Sequence, residues 1–318
     1  MKLKCAILDD YQGVALELAD WSKILEQVEV TAYREHFDTE DDLIRAVGDC
    51  EIIVIMRERT PFGASVLSRL PKLKLLITSG MRNASIHLPT AESQGVTVCG
   101  TVSHQQPPAE LTWALIHGLA RNVVLENENL RNNGPWQSTV GVDLYGKRLG
   151  IIGLGKIGTR VAAVGKAFGM EVAAWSQNLT KERTDEVDVE LTGSLTQLLE
   201  TSDFVTIHLV LSDRTRNLIG EQELKRMRPT AYLINTSRAP IVNREALAAA
   251  LQEGWIAGAG LDVYETEPLP SDDMFRKLPN VLALPHLGYV SQNNYRAYFT
   301  EAVEDIQAYL SGEPIRKL

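Results

Sequence analysis

The sequence predicts an α/β protein made of two doubly wound parallel-sheet units. Three observations carry that expectation. Short apolar runs alternate with amphipathic segments along most of the chain. One long helical stretch, 104–136, interrupts the alternation and divides it into two series. The second series opens on glycines 153, 155 and 158, directly after the apolar run RLGII.

The elements follow in order. CAILDD (5–10) reads as a strand, VALELADWSKIL (14–25) has helical periodicity, and VEVTAY (28–33) is β-branched and alternating. Thr39, three residues before Asp42, predicts an N-cap ahead of DLIRAV. EIIVIM (51–56) and KLLITSG (74–80) are continuous apolar runs, the pattern of strands covered on both faces, and VTVCG (96–100) closes the series. The stretch 104–136 reads mostly as one helix. Pro108 suits its first turn, Leu111, Leu115 and Leu119 repeat at i+4, and NNGP (132–135) ends it. The domain crossover falls just before it. The second series supplies strands at 148–155, 171–175, 204–210, 231–235, 256–263 and 280–285, with Ser194 and Asn243 as N-caps, and a last helix covers roughly 291–310.

Composition narrows the function classes. A chain of 318 residues suits two domains of about 150 each. A net charge of −9 argues against a general nucleic-acid binder, yet leaves room for a local basic pocket. Cys5, Cys50 and Cys99 form no Cys-x-x-Cys pair; Cys5 and Cys50 sit in apolar stretches and read as buried free thiols, which fits a reducing, cytoplasmic setting. The N-terminal MKLKCAILDDY is too short an apolar run for a signal peptide. No stretch approaches the ~20 apolar residues of a membrane span. His36, His87, His104, His117 and His208 have no metal-site spacing, so no metal is expected.

The glycine pattern has mechanical content. Gly153 permits a tight turn, Gly155 lets backbone approach a pyrophosphate, and Gly158 lets helix and strand pack closely. The following helix N-terminus offers N–H donors to phosphates. An acid about 20 residues on, at the next strand end, would accept the ribose hydroxyls of NAD. Ser176 stands there, 18 residues after Gly158, followed by Gln177 and Asn178. A serine does not repel a 2′-phosphate. Lys181 and Arg183 lie close enough to meet one, although a solvated loop is the commoner fate of such residues. The cofactor is therefore NAD or NADP, with a slight lean to NAD.

Three ionisable residues follow strands of the second series: Arg238 after AYLINTS, Glu267 after GLDVYET, and His286 in ALPHLG. Ligands of open α/β sheets bind beyond such carboxyl ends. Moving a hydride to or from C2 of a 2-hydroxy acid needs a base near neutrality, a fixed cation for the carboxylate, and a group that orients the base. Histidine, arginine and glutamate suit these three tasks.

INTSRAPIVNREAL, GLDVYETEPLP, LPHLG and GLGKIG together resemble the D-2-hydroxyacid dehydrogenase family, which includes D-3-phosphoglycerate, D-lactate and glyoxylate/hydroxypyruvate enzymes. The resemblance spans nearly the whole chain. It implies a Rossmann nucleotide-binding domain (103–287) inserted into a flavodoxin-like substrate domain (1–102 and 288–318). It also implies a homodimer joined through the nucleotide domain. It matches Arg238, Glu267 and His286 to the catalytic trio, Lys156 and Ile157 to the phosphates, Ser176 to the adenosine ribose, and Thr236 and Asp262 to the nicotinamide side. The implied activity is NAD(P)-dependent exchange of a hydride with a D-2-hydroxy acid or its 2-keto acid. A non-catalytic dinucleotide sensor, like the C-terminal-binding-protein corepressors, and a phosphite dehydrogenase share the trio. Glu267 argues against formate dehydrogenases, which carry Gln there.

Three departures stand out. Ser176 replaces the acid of NAD users. Ala239 replaces a glycine after the arginine. ITSGMRNAS (77–85) has Arg82 where relatives have Asp. The family's loop there holds the substrate carboxylate on backbone N–H groups, which implicates Ser79, Gly80 and Met81. IMRERTPF (55–62) offers Arg57 and Arg59 either to a second anionic group on the substrate or to nearby carboxylates such as Glu58. At this length the chain is expected to lack the regulatory domain of many phosphoglycerate dehydrogenases.

Overall fold

A computed structural model describes residues 2–318. The chain divides into two units, 1–104 with 290–318, and 105–289. The first unit carries β1 (Leu3–Ile7), β2 (Val28–Ala32), α1 (Glu40–Val47), β3 (Ile52–Ile55), α2 (Ala64–Ser68), β4 (Leu75–Thr78), α3 (Leu88–Ser93), β5 (Thr97–Gly100) and the last helix, Gln292–Leu310. Its sheet has the order β2-β1-β3-β4-β5, and every pairing is parallel. Each residue of β3 and β4 is buried. Their uninterrupted apolar sequences fit a sheet with both faces covered. Thr39 caps α1 by accepting the Asp42 N–H, as its spacing predicts.

The second unit carries α4 (Gln106–Ala120), α5 (Val123–Arg131), β6 (Arg148–Ile152), α6 (Lys156–Ala167), β7 (Glu171–Trp175), α7 (Lys181–Asp185), β8 (Glu190–Leu191), α8 (Leu195–Thr201), β9 (Phe204–Ile207), α9 (Glu221–Arg226), β10 (Tyr232–Asn235), α10 (Arg244–Gln252), β11 (Gly258–Leu261) and β12 (Val281–Ala283). The order β12-β11-β10-β9-β6-β7-β8 is again all parallel and reverses direction between β6 and β9. Ser194 and Asn243 cap α8 and α10. Helix α4 buries Trp113, Leu115, Ile116 and Leu119 against α6 and strands β10 to β12.

Two helical expectations need correction. The stretch 14–25 forms turns and a short 3-10 segment, Trp21–Lys23. Asp10 accepts the N–H groups of Val14 and Ala15, and the Trp21 indole takes the Ala15 carbonyl that a helix would have used at i+4. The stretch 104–136 is two helices, because Asn122 adopts a left-handed backbone (φ 50°) between α4 and α5. Strand β8, two residues long, is too short for any periodicity to announce it.

Candidate active site

Strand register builds the site. Trp175, Ile152, Ile207, Asn235, Leu261 and Ala283 are successive register partners across β7, β6, β9, β10, β11 and β12. Each except Ile207 is followed directly or within a few residues by a sequence-predicted site residue. The row therefore sets Ser176, Gly153, Thr236 with Arg238, Asp262 with Glu267, and His286 along one carboxyl edge.

At the β6 end, Gly153 adopts φ +103° and donates its N–H to the Trp175 carbonyl at 2.9 Å. A Cβ there would come within 2.6 Å of the His208 carbonyl oxygen, and one at Gly158 within 2.1 Å of the Gly153 oxygen, so both positions exclude side chains. A Cβ at Gly155, in contrast, would meet nothing within 4 Å. Helix α6 starts there with no side-chain cap and no acid in its first turn. Its orphan N–H groups, on Lys156, Ile157 and Gly158, thus face a space that a side chain would have closed. That arrangement fits a dinucleotide pyrophosphate. His208 is partly buried beside this turn, bonded through Nε2 to Thr206 Oγ1 at 2.9 Å, and desolvation pushes its pKa down to about 3, so the ring is neutral.

At the β10 end, Asn235 shapes the turn. Its Oδ1 accepts the Ser237 N–H at 3.0 Å and its Nδ2 donates to the Arg238 carbonyl at 3.1 Å. Ser237 Oγ donates to Ile207 O at 2.7 Å, and Arg238 Nη1 donates to Ser237 O at 2.7 Å. Ala239 opens a 3-10 turn without a left-handed φ, so a glycine is not required. Thr112 Oγ1 donates to Pro108 O, which leaves it to accept from Thr236 Oγ1 at 3.0 Å.

Glu267 and His286 meet. Glu267 Oε2 lies 2.6 Å from His286 Nδ1, while Oε1 accepts the Tyr264 N–H at 2.9 Å. Both side chains are about four-fifths buried (18% and 19% exposed). The Tyr289 ring stands edge-on to the imidazole at 5.5 Å. His286 itself is left-handed (φ 53°). A non-glycine residue holds such a conformation only where its surroundings impose it. Asp262 supplies part of that restraint: fully buried, it accepts the Leu287 N–H at 2.7 Å and the Gly288 N–H at 2.8 Å, the two amides that follow the histidine.

Burial pushes the Asp262 pKa up to about 6, against the pull of those two N–H groups and of His286. A carboxyl raised in the folded state adds stability below its unfolded pKa that is lost as pH rises from about 4 through about 6, here about 3 kcal/mol. Asp262→Asn should flatten that part of the stability profile, read by denaturant unfolding at several pH values. It should also lower kcat roughly tenfold, because an amide accepts on one atom only and the histidine turn loosens. A profile and kcat equal to those of the unsubstituted chain would refute the restraint.

The first unit places its predicted residues at the ends of β3 and β4. Arg57 is left-handed (φ 55°), takes Ser79 Oγ on its N–H at 2.9 Å, and donates Nη1 to Ser79 O at 3.2 Å. Its guanidinium lies over Gly80. The N–H groups of Ser79 and Gly80 already bond to Ile55 O and Thr101 Oγ1. Met81 is half-exposed, and among the described residues its N–H has no partner. Arg59 lies 5.4 Å over the Tyr11 ring. Lys181 and Arg183 are paired with Asp185 and Glu186. The sequence reading missed two contributors, Tyr289 and the Asp262 restraint. Nothing in spacing distinguishes a carboxylate that binds backbone amides from one that meets a ligand. No group of three or more His, Cys, Asp or Glu among the described residues could hold a metal ion.

A family model for "D-isomer specific 2-hydroxyacid dehydrogenase, NAD binding domain" matches residues 113–288. A glyoxylate reductase of Korarchaeum cryptofilum is 36% identical over 300 residues, covering 92% of this chain and 90% of that protein. A D-3-phosphoglycerate dehydrogenase of Methanocaldococcus jannaschii is 33% identical over 297 residues, covering 92% of this chain and 56% of that protein. The crystal structure of a phosphoglycerate oxidoreductase from Vibrio cholerae superposes with a TM-score of 0.93 at 36% identity, covering 98% of this chain and 99% of that one.

Proposed function

Because the chain belongs to the D-isomer specific 2-hydroxyacid dehydrogenase family, and is thereby an oxidoreductase that uses a nicotinamide cofactor on a 2-hydroxy or 2-keto acid, we propose that Arg238, Glu267 and His286 are its catalytic residues. The observation that carries this reading is the 2.6 Å Glu267–His286 pair on the same sheet edge as Arg238.

The cofactor, when bound, supplies or accepts the hydride. Gly153, Gly155, Lys156, Ile157 and Gly158 would hold its phosphates, Ser176 its adenosine ribose and Thr236 its nicotinamide side, while Asp262, buried with both oxygens on backbone amides, would act there by holding the His286 turn. The chain's own residues do the rest. Arg238 binds the substrate carboxylate through its planar fork and polarises the C2 oxygen. His286, with Nδ1 held by Glu267, gives a proton from Nε2 to that oxygen during reduction and takes it back during oxidation. Glu267 fixes the tautomer and stabilises the imidazolium. In the first unit, taken by itself, the Met81 N–H and Arg57 are donors suited to an anionic group, and Ser79 and Gly80 build the loop that presents them. NAD is the expected partner, with NADP admitted because Ser176 carries no charge.

The reading extends to assembly and location. Helix α5 buries none of its residues, and Leu130, Trp136, Val140 and Tyr145 are 60–96% exposed. Such an apolar surface on the nucleotide-binding unit supports a homodimer formed there with a second copy. Light scattering should give twice the chain mass, and a monomer at micromolar concentration would refute this. The buried free thiols of Cys5, Cys50 and Cys99 support a cytoplasmic location. No helix among the described residues is long and apolar enough to cross a membrane. A non-catalytic sensor or a phosphite dehydrogenase finds no support among the relatives. A panel of glyoxylate, hydroxypyruvate, pyruvate and phosphite, each with NADH or NAD as appropriate and with the phosphorylated cofactor, tests the reading: turnover confined to 2-keto acids is the expected result, and none with any keto acid would refute it.

A further inference from the structure

Helix α10 opens on a residue that its own electrostatics disfavour. Arg244 holds the first helical position, directly after the Asn243 cap. A cation there opposes the partial positive charge of a helix N-terminus. Its placement calls for a partner outside the helix. Arg244 Nη2 donates to Asp273 Oδ2 at 2.6 Å, and its guanidinium carbon lies 4.9 Å over the Phe275 ring. The Asp273 side chain is 7% exposed, and its Oδ1 accepts the Phe275 N–H at 2.9 Å, so both carboxylate oxygens are engaged. A pair this sheltered is screened far less than exposed pairs on the surface.

The two ends of this pair belong to the two segments that carry the proposed catalytic side chains. Arg238 leaves β10, and a 3-10 turn (Ala239–Ile241) leads from it to Arg244. Glu267 leaves β11 in the segment that runs on to Asp273. That second segment is stiffened from within: Arg276 Nε donates to Pro270 O at 2.8 Å, and the Asp273 N–H donates to the same oxygen at 3.2 Å. Phe275 is buried in one core cluster with Tyr264, whose N–H is the donor that fixes Glu267 Oε1. The segments also face each other across a cavity of about 20 Å³, lined by Asn235, Ala239, Tyr264, Glu265 and Phe275 among others. The Arg244–Asp273 bond thus closes a frame. Strands β10 and β11 join the two segments at the sheet, where Asn235 pairs with Leu261, and the ion pair joins them again further along each chain segment. Tyr264, and through it the carboxylate of Glu267, sits inside that frame.

We propose that the Arg244–Asp273 pair is a positioning device for the reaction, holding Glu267 where it supports the imidazolium of His286. The proposal rests on the catalytic reading of Arg238, Glu267 and His286 above. Its test is the pH profile of kcat for keto-acid reduction in two variants of the intact protein. Arg244→Met keeps an apolar stem over Phe275, and Asp273→Asn keeps an oxygen for the Phe275 N–H. Each should lower kcat about fivefold at neutral pH and leave the NADH dissociation constant within about twofold. Each should also move the basic limb of the profile to lower pH by about half a unit, because a looser Glu267 supports the proton on His286 less. Asp262, the other acid facing this pair, keeps its two backbone amides in every variant and contributes equally. Arg244→Lys should recover part of both effects, and the double variant should lose no more than either single one. A lower kcat with an unmoved profile is what a merely structural pair would give, and it would overturn the proposal, as would an unchanged kcat. Glu267→Gln separates this proposal from the reading it rests on. An unmoved profile in that variant would remove Glu267 from the mechanism, whereas a profile moved by Glu267→Gln and by neither frame variant would remove only the positioning role of the pair.

Discussion

His286→Ala is expected to lower kcat for reduction of a 2-keto acid by about three orders of magnitude, the usual scale for removing a positioned general acid, while the NADH dissociation constant stays within about twofold. The reason is local. The imidazole is the group that Glu267 orients at 2.6 Å and that the left-handed backbone and the Asp262 clamp aim. None of these contacts touches the glycine turn at β6. Stopped-flow measurement of NADH oxidation separates chemistry from cofactor binding. A loss below about tenfold would move proton transfer to another residue. Glu267→Gln should give a smaller loss and alter the pH dependence of kcat, since the amide can orient the ring but cannot stabilise the imidazolium by charge.

Arg238→Ala is expected to cost about a thousandfold in kcat/KM, or ~4 kcal/mol of transition-state stabilisation. Two effects combine. The substrate carboxylate loses a bidentate cationic partner, which raises KM, and the C2 oxygen loses polarisation, which lowers kcat. Arg238→Lys should recover only part of this, because an ammonium cannot reproduce the planar fork. The turn itself should survive, since Asn235 and Ser237 hold it through contacts that do not involve the guanidinium. Steady-state kinetics with both substrates varied is the check. Unchanged kcat/KM would remove Arg238 from the mechanism.

Much of this architecture was legible in the sequence because parallel strands advertise themselves. IIVI and LLIT are buried on both faces, and nothing but a covered strand suits such runs at that length. The glycine turn was equally readable, since Gly153 and Gly158 answer to close backbone contacts that any sequence forming this turn must satisfy. Amphipathic periodicity misled at 14–25, where side-chain hydrogen bonds from Asp10 and Trp21 outcompete helix. It also misled at 122, where one left-handed residue splits a pattern that looks continuous. In the site, strand-end position identified the charged residues but not their second partners. The Asp262 clamp joins residues 26 apart in sequence, and the Arg244–Asp273 bond joins residues 29 apart. Both depend on strands and helices being brought side by side, which no local window contains. For the same reason the family resemblance implicated Ser79 and Gly80 as anion donors without revealing that their N–H groups bond to Ile55 and Thr101.

The central claim is that residues gathered along one register row pass a hydride and a proton to C2 of a keto acid, giving the D product. The most direct test uses reduced cofactor deuterated at the transferring carbon, with hydroxypyruvate or pyruvate, followed by mass spectrometry and chiral separation of the product. The account predicts one deuterium at C2 of the D-hydroxy acid from the wild-type protein and almost none from His286→Ala. Product of the L configuration, or a C2 position without label despite cofactor oxidation, would contradict it.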